Sequence, residues 1–331
     1  MNYIGSKNKL SSFVISTIKE TVGCLDDKVF AELFAGTGII SRALKDQVKK
    51  IIVNDLEYYS YVLSKNYISN NSFFDYFSLF NFLEENISYS ERDFIFQEYS
   101  ENGKAERLYF SEYNGKLIDR IRKNIQLLYE SREITEEQFF FCLASLLESA
   151  DKHANTASVY GAYLKTLKKT AQKNMKLEAA LFDIGKAETE VYHQDSNSLI
   201  TKIYGDILYL DPPYNARQYG ANYHLLNTIA LYDDFVPKGK TGLREYKKSS
   251  YCQKGIVKNV FEDLIKNAEF KYIFISYNNE GLMSFTDIKE ICSKYGHYDF
   301  VGKEYSRFKA DSNRKYSDDK TLEYLHILEK Y

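Results

Sequence analysis

Short apolar runs closed by polar or turn residues punctuate the chain. Val29-Phe-Ala-Glu-Leu33 leads into Phe34-Ala-Gly-Thr-Gly38, and Ile51-Ile-Val53 into Asn54-Asp55. Ile207-Leu-Tyr-Leu210 leads into Asp211-Pro-Pro-Tyr214, and Tyr272-Ile-Phe-Ile275 into Ser276-Tyr-Asn278. Runs this short, with no polar alternation, suit parallel strands buried on both faces. Helical patterns fall between them, over 38–45 and 221–232. Strands alternating with helices predict an α/β, doubly wound fold.

The spacing is uneven. The first two strands are one βα unit apart, whereas the third arrives some 150 residues later. The stretch 60–185 between them is helical in pattern, as over 134–149, and reads as an inserted second domain. The sheet-forming domain is then 1–59 and 186–331. The chain closes on a hairpin pattern, 298–305 with 322–328, around a charged loop over 309–320.

With 331 residues, 27% charged and 44% hydrophobic, the chain is long enough for a full core and is not of disordered composition. No apolar run approaches a membrane span, so no membrane partner is expected. The four cysteines stand far apart without histidine partners, which predicts reduced thiols and no metal site. A formal charge of −2 means that any nucleic-acid surface is local.

Phe34-Ala-Gly-Thr-Gly38 follows a strand and opens a helix. Gly36 and Gly38 let backbone approach a ligand at the carboxyl edge of the sheet. Ser41 stands where a dinucleotide fingerprint has its third glycine, and no phosphate-binding P-loop pattern is present. Asp55 closes the second strand, where a carboxylate can hold two ribose hydroxyls; capping the next helix is its other reading. Turn and acid together point to an adenosine-type ligand.

Asp211-Pro-Pro-Tyr214 holds two of the three prolines in the chain. Proline restrains the residue before it to extended backbone and has no N–H to donate. The segment is therefore stiff, and it presents the Asp211 carboxylate and the Pro212 carbonyl to one cleft, with Tyr214 as a flat face. An aromatic amine such as adenine N6 is a poor nucleophile because its lone pair is delocalised. Two acceptors taking its N–H groups favour a pyramidal nitrogen, and Tyr214 can stack on the base. Pro213 completes the stiff elbow. A methyl electrophile at the glycine turn then needs orientation and charge stabilisation, with no metal or strong base.

These motifs resemble those of the D12-class, alpha-group, adenine-specific DNA N6-methyltransferases of restriction-modification type. Tyr3-Ile-Gly-Ser-Lys7 is similar to the N-terminal motif of that class, and Phe34–Gly38 to its S-adenosylmethionine motif. The resemblance implies a Rossmann-like S-adenosylmethionine-dependent methyltransferase sheet with an inserted, mainly helical target-recognition domain over 60–185. It implies cofactor contacts from Tyr3, Lys7, Glu32, Phe34, Gly36, Gly38, Asp55 and Asp195, and catalysis by Asp211, Pro212, Pro213 and Tyr214. Double-stranded DNA is the implied substrate, with a flipped-out adenine as target. A cognate restriction endonuclease is a possible functional partner, and a bacterial cytoplasmic, nucleoid-associated location follows. Related methyltransferases acting on RNA or protein glutamine, or an inactive DNA-binding relative, are the alternatives. Asp195 also reads as a helix N-cap, and Lys7 as a DNA-phosphate contact or a plain solvated lysine.

Two basic runs flank the tetrapeptide. Residues 151–176 hold six lysines and one acid, with Lys165, Lys168, Lys169 and Lys173 at helix spacing. Residues 237–258 hold seven basic residues and one acid, including Lys247 and Lys248. Such lysines suit phosphate contacts, and solvated faces are the rival reading. Arg217, Asn222 and Tyr223, just past the tetrapeptide, are expected at DNA or the flipped base. Helix packing explains Asn222 and Tyr223 equally well.

Overall fold

The computed structural model describes residues 7–85, 93–306 and 320–331. Seven strands form one sheet: β1 (Val29–Glu32), β2 (Lys50–Asn54), β3 (Glu188–Tyr192), β4 (Tyr204–Leu210), β5 (Glu269–Asn278), β6 (Gly296–Ser306) and β7 (Lys320–Lys330). Their order is β3-β2-β1-β4-β5-β7-β6. The strands β1 to β5 pair in parallel, and β7 runs antiparallel to both β5 and β6. The α/β, doubly wound sheet expected from the sequence is what forms, with the closing hairpin added at one edge.

Burial explains the continuous apolar runs. Ala31, Ile52, Leu208, Leu210, Ile273 and Ile275 join one core cluster with the helix Val257–Asn267. Their alternates Phe30, Ile51, Val53, Ile207, Tyr209 and Phe274 are fully buried as well. Successive strand residues point to opposite faces, so the sheet is covered on both. Each such side chain contributes roughly 1.5–3 kcal/mol by leaving water. By contrast β3 is an edge strand, and none of Glu188–Tyr192 is fully buried. Its polar ETEVY sequence lacks the apolar run, which is why the sequence pattern passed over it.

The connection from β1 to β2 and β3 runs to one side, and that from β4 to β5 to the other. The loops after β1 and β4 therefore part at adjacent strands, the point where open α/β sheets bind ligands.

The chain divides into two compact units. One comprises the described residues of 7–64, 183–218 and 247–331 and contains the whole sheet. The other comprises those of 65–182 and 219–246, so it also takes in a segment that the sequence reading left with the sheet. It is mainly helical, built on Glu112–Glu130 and Glu136–His153. The second of these starts with a reciprocal cap between Thr135 and Gln138. The expected helix over 221–232 is present but broken, as Tyr219–Asn222 and His224–Leu231.

The lysine helix expected after 160 is absent. Residues 154–187 form no helix or strand. Side-chain amides take over the backbone bonding that a helix would provide. Asn155 Nδ2 donates to the Leu108 and Leu164 carbonyls, and its Oδ1 accepts from the Lys168 amide. Asn114 likewise binds the Ala171 and Lys173 carbonyls and the Met175 amide. Further along, the Ser149 and Ser145 hydroxyls accept from the Glu178 and Ala180 amides. The basic stretch is thus a strap tied down by Asn114 and Asn155 among other side chains, and helical spacing of its lysines has no meaning. Most of the charged loop at 309–320 lies outside the described residues.

Candidate active site

The turn after β1 needs its glycines. Gly36 and Gly38 have φ of 55° and 66°, in the left-handed region that a side chain disfavours. The Gly38 amide closes the turn on the Ala35 carbonyl at 2.7 Å. The Gly36 amide donates to Asp55 at the end of β2, at 2.8 Å. Asp55 also accepts from the Glu57 amide at 2.9 Å, and the Ser60 hydroxyl donates to the Gly36 carbonyl at 2.6 Å. Burial pushes the Asp55 carboxyl up, against the pull of these donors.

Glu32 ends β1 beside Tyr209 of β4 and is 3% exposed. Both the amide and the hydroxyl of Ser41 donate to its Oε2. Burial pushes its carboxyl up to about 8, with Asp211 and Asp55 adding to the rise, so it is mainly a neutral acid at pH 7. Phe34 meets Tyr251 edge to face at 4.8 Å, and the Tyr251 hydroxyl donates to Asn197 at 2.8 Å. Asp195 is exposed and N-caps the short helix Ser196–Ile200 through the Ser198 amide, so its capping reading is realised.

Asp211-Pro-Pro-Tyr214 leaves β4 as irregular backbone, with Pro212 buried and the other three part-buried. The Tyr214 carbonyl accepts from the Leu282 amide at 2.8 Å, which anchors the segment to the chain after β5. Lys7 Nζ lies 3.0 Å from Asp211 Oδ1 and 2.6 Å from Glu323 Oε1. Burial pushes the Asp211 carboxyl up to about 6; Lys7 opposes this and Glu323 reinforces it. Burial also works against the Lys7 charge, but Asp211 and Glu323 outweigh it and hold the ammonium well above its usual range.

Most of the expected cofactor and catalytic residues therefore gather in one unit: Lys7, Glu32, Phe34, Gly36, Gly38, Asp55, Asp195 and 211–214. Tyr3 lies outside the described residues. Glu323 and the Leu282 anchor were not foreseen, because neither carries a local motif.

The expected DNA-contact residues divide. Arg217, Lys247 and Lys248 are exposed in the sheet unit, and Lys165 and Lys169 in the helical unit. Lys168 is half-buried, and its ammonium donates to the Thr156 carbonyl at 2.8 Å; burial lowers its pKa. Tyr223 is fully buried and packs near Tyr160 and Tyr219. Asn222 is part-buried, and its carbonyl accepts from the Tyr160 amide. Packing is the role the structure gives Lys168 and Tyr223. A cleft of about 500 Å³ in the helical unit is lined by Lys165 with Glu101, Ser111 and Gln172 among others.

The family model for the D12 class N6 adenine-specific DNA methyltransferase matches residues 3–291. The chain is 57% identical to Type II methyltransferase M.NlaIII of Neisseria lactamica, over 100% of this chain and 99% of that protein. It is 40% identical to M.CviAII of Paramecium bursaria Chlorella virus 1, over 94% and 93%. Identity to M.FokI of Planomicrobium okeanokoites is also 40%, over 100% of this chain and 53% of that protein.

Proposed function

The chain belongs to the D12 class of N6 adenine-specific DNA methyltransferases, and on that premise we propose how its residues hold donor and base. The observation that carries the proposal is the stiff 211–214 segment, which leaves β4 next to β1 and its glycine turn. S-adenosylmethionine, when bound, supplies a methyl group on a positively charged sulfur. The residues present suit that cofactor. The glycine turn gives close backbone approach, and the Asp55 oxygens keep lone pairs for hydroxyl donors after accepting one N–H each. Phe34 contributes an apolar wall, Glu32 a neutral acid at the β1 end, and Asp195 a further carboxylate.

Adenine stacked in a duplex cannot bring N6 into a recessed pocket, so the base turns out of the stack to reach Asp211. Its two N–H groups donate to the Asp211 carboxylate and the Pro212 carbonyl. Tyr214 stacks on the ring, and its carbonyl bond to Leu282 fixes the segment. With N6 held between fixed acceptors, the lone pair points along one line, and positive charge developing on nitrogen meets the carboxylate. Lys7 keeps Asp211 ionised despite burial.

Arg217, Lys247 and Lys248 contact phosphates, and so do Lys165 and Lys169. The helical unit reads the recognition sequence. Relatives named Type II methyltransferases and modification methylases support a protective role beside a cognate endonuclease, in the cytoplasm at the nucleoid. Tritiated S-adenosylmethionine is expected to label duplex DNA at adenine, and methylation-sensitive sequencing to return one short motif. Label on RNA or protein instead would overturn the proposal.

A further inference from the structure

One buried carboxylate beside Asp211 has no task in the scheme above. Glu323 is 1% exposed and lies near the start of β7. Because β7 runs against the parallel strands, its opening residues sit at their carboxyl rim, and Glu323 pairs with Asn278 at the end of β5. There its Oε1 takes the Lys7 ammonium at 2.6 Å, a shorter contact than the 3.0 Å from Lys7 to Asp211. Its other oxygen, Oε2, is buried with no hydrogen-bond partner among the described residues. A buried carboxylate with idle acceptor capacity is a weak source of stability.

We propose that Glu323 is a positioning residue for methyl transfer: it draws the Lys7 ammonium away from Asp211, leaving the ionised Asp211 carboxylate a stronger acceptor for the adenine amine. A lone Lys7–Asp211 pair is neutral, and a tighter ammonium contact weakens the carboxylate as an acceptor for the amine. Two carboxylates sharing one ammonium carry a net negative charge, and the shorter contact places the ammonium nearer the non-reacting partner. The other ionisable groups around Asp211 are Glu32 from β1, Tyr209 from β4 and Tyr214 from its own segment. Among the described residues, none of these three forms an ion pair or hydrogen bond with Lys7 that replaces the one from Glu323.

The inference rests on the adenine-N6 reading, and wild-type transfer to DNA adenine is its control. In Glu323→Gln, Lys7 closes on Asp211. Single-turnover transfer falls about tenfold, while the KM values for cofactor and DNA stay within about twofold. The acid limb of the pH–rate profile moves to lower pH, because a negative neighbour of Asp211 is gone. Glu323→Asp keeps the charge, returns part of the rate and leaves the limb near its wild-type position. A wild-type rate in Glu323→Gln, or a slow rate with an unmoved limb, overturns the assignment. Loss of cooperative melting and cofactor binding in both variants overturns it as well, in favour of a structural ion pair. A wild-type enzyme that leaves DNA adenine unmethylated defeats the underlying reading instead.

Discussion

The Gly36 amide donates to the Asp55 carboxylate at 2.8 Å, so the turn after β1 and the acid after β2 are one body. Removing that acceptor frees the left-handed turn and strands the Glu57 amide as well. Asp55→Ala is expected to weaken S-adenosylmethionine binding by roughly 1–3 kcal/mol, about ten- to hundredfold in Kd. Calorimetric titration reads this directly, and an unchanged Kd takes Asp55 out of the cofactor site.

Asp211 follows β4, whereas Asp55 follows β2. Asp211→Ala is expected to lower the transfer rate by about 10²–10³-fold, as loss of one preorganised transition-state contact does. Cofactor affinity stays near wild type. Tritium transfer to duplex DNA, measured alongside the cofactor titration, separates the two effects, and full transfer in this variant would falsify the mechanism.

Two carboxyls set the pH behaviour. Asp211 opposes the positive charge developing on N6 with a negative one only when ionised, and burial places its pKa up at about 6. The transfer rate therefore falls as pH drops through about 6, with Lys7 charged throughout. Glu32 acts on stability. Its folded pKa, about 8, lies above its ordinary 4.5, so the folded state binds the proton more tightly than the unfolded chain. That contribution is fully present below about pH 4.5 and is lost as pH rises through 8. Glu32→Gln cannot ionise, so its gain in Tm over wild type is expected to be several degrees larger at pH 8 than at pH 5. An equal difference at both values contradicts this.

Asn155 is fully buried and bonds three backbone groups, at Leu108, Leu164 and Lys168. Asn155→Ala leaves all three unpaired. A loss of roughly 2–4 kcal/mol in urea unfolding is expected, together with faster proteolytic cutting within 154–187. A neutral effect on both measures removes the strap from the stabilising contacts.

Lys168 and Lys169 are adjacent, yet only Lys169 is exposed, because the Lys168 ammonium is tied to Thr156. Lys169→Ala is expected to reduce the slope of log affinity for DNA against log salt by about one. Lys168→Ala leaves that slope alone and lowers stability instead. Equal slopes in both variants and wild type exclude this strap from the phosphate contacts.

What the sequence made legible follows the range of the interactions concerned. β1, β2, β4 and β5 announce themselves because strands buried on both faces are continuously apolar. The catalytic and cofactor motifs are contiguous, so Gly36, Gly38, Asp55 and 211–214 could be read directly. Lys165 to Lys173 mimic a helix face, but Asn114 and Asn155 override that pattern from a distance. The break at Tyr223 belongs to the same class, since this tyrosine is buried against distant rings. Lys7 was legible as a site residue, whereas Glu323, 316 residues away, meets it only through the pairing of β7. No local pattern records such a partner.

The reversal of β7 carries a biosynthetic consequence. The residues that build the glycine turn and anchor the 211–214 elbow have been translated once Leu282 is added after β5, but the carboxylate that shares Lys7 emerges only with the closing strand. A polypeptide ended by a premature stop within the hairpin can retain the donor cradle yet lacks the charge arrangement around the acceptor.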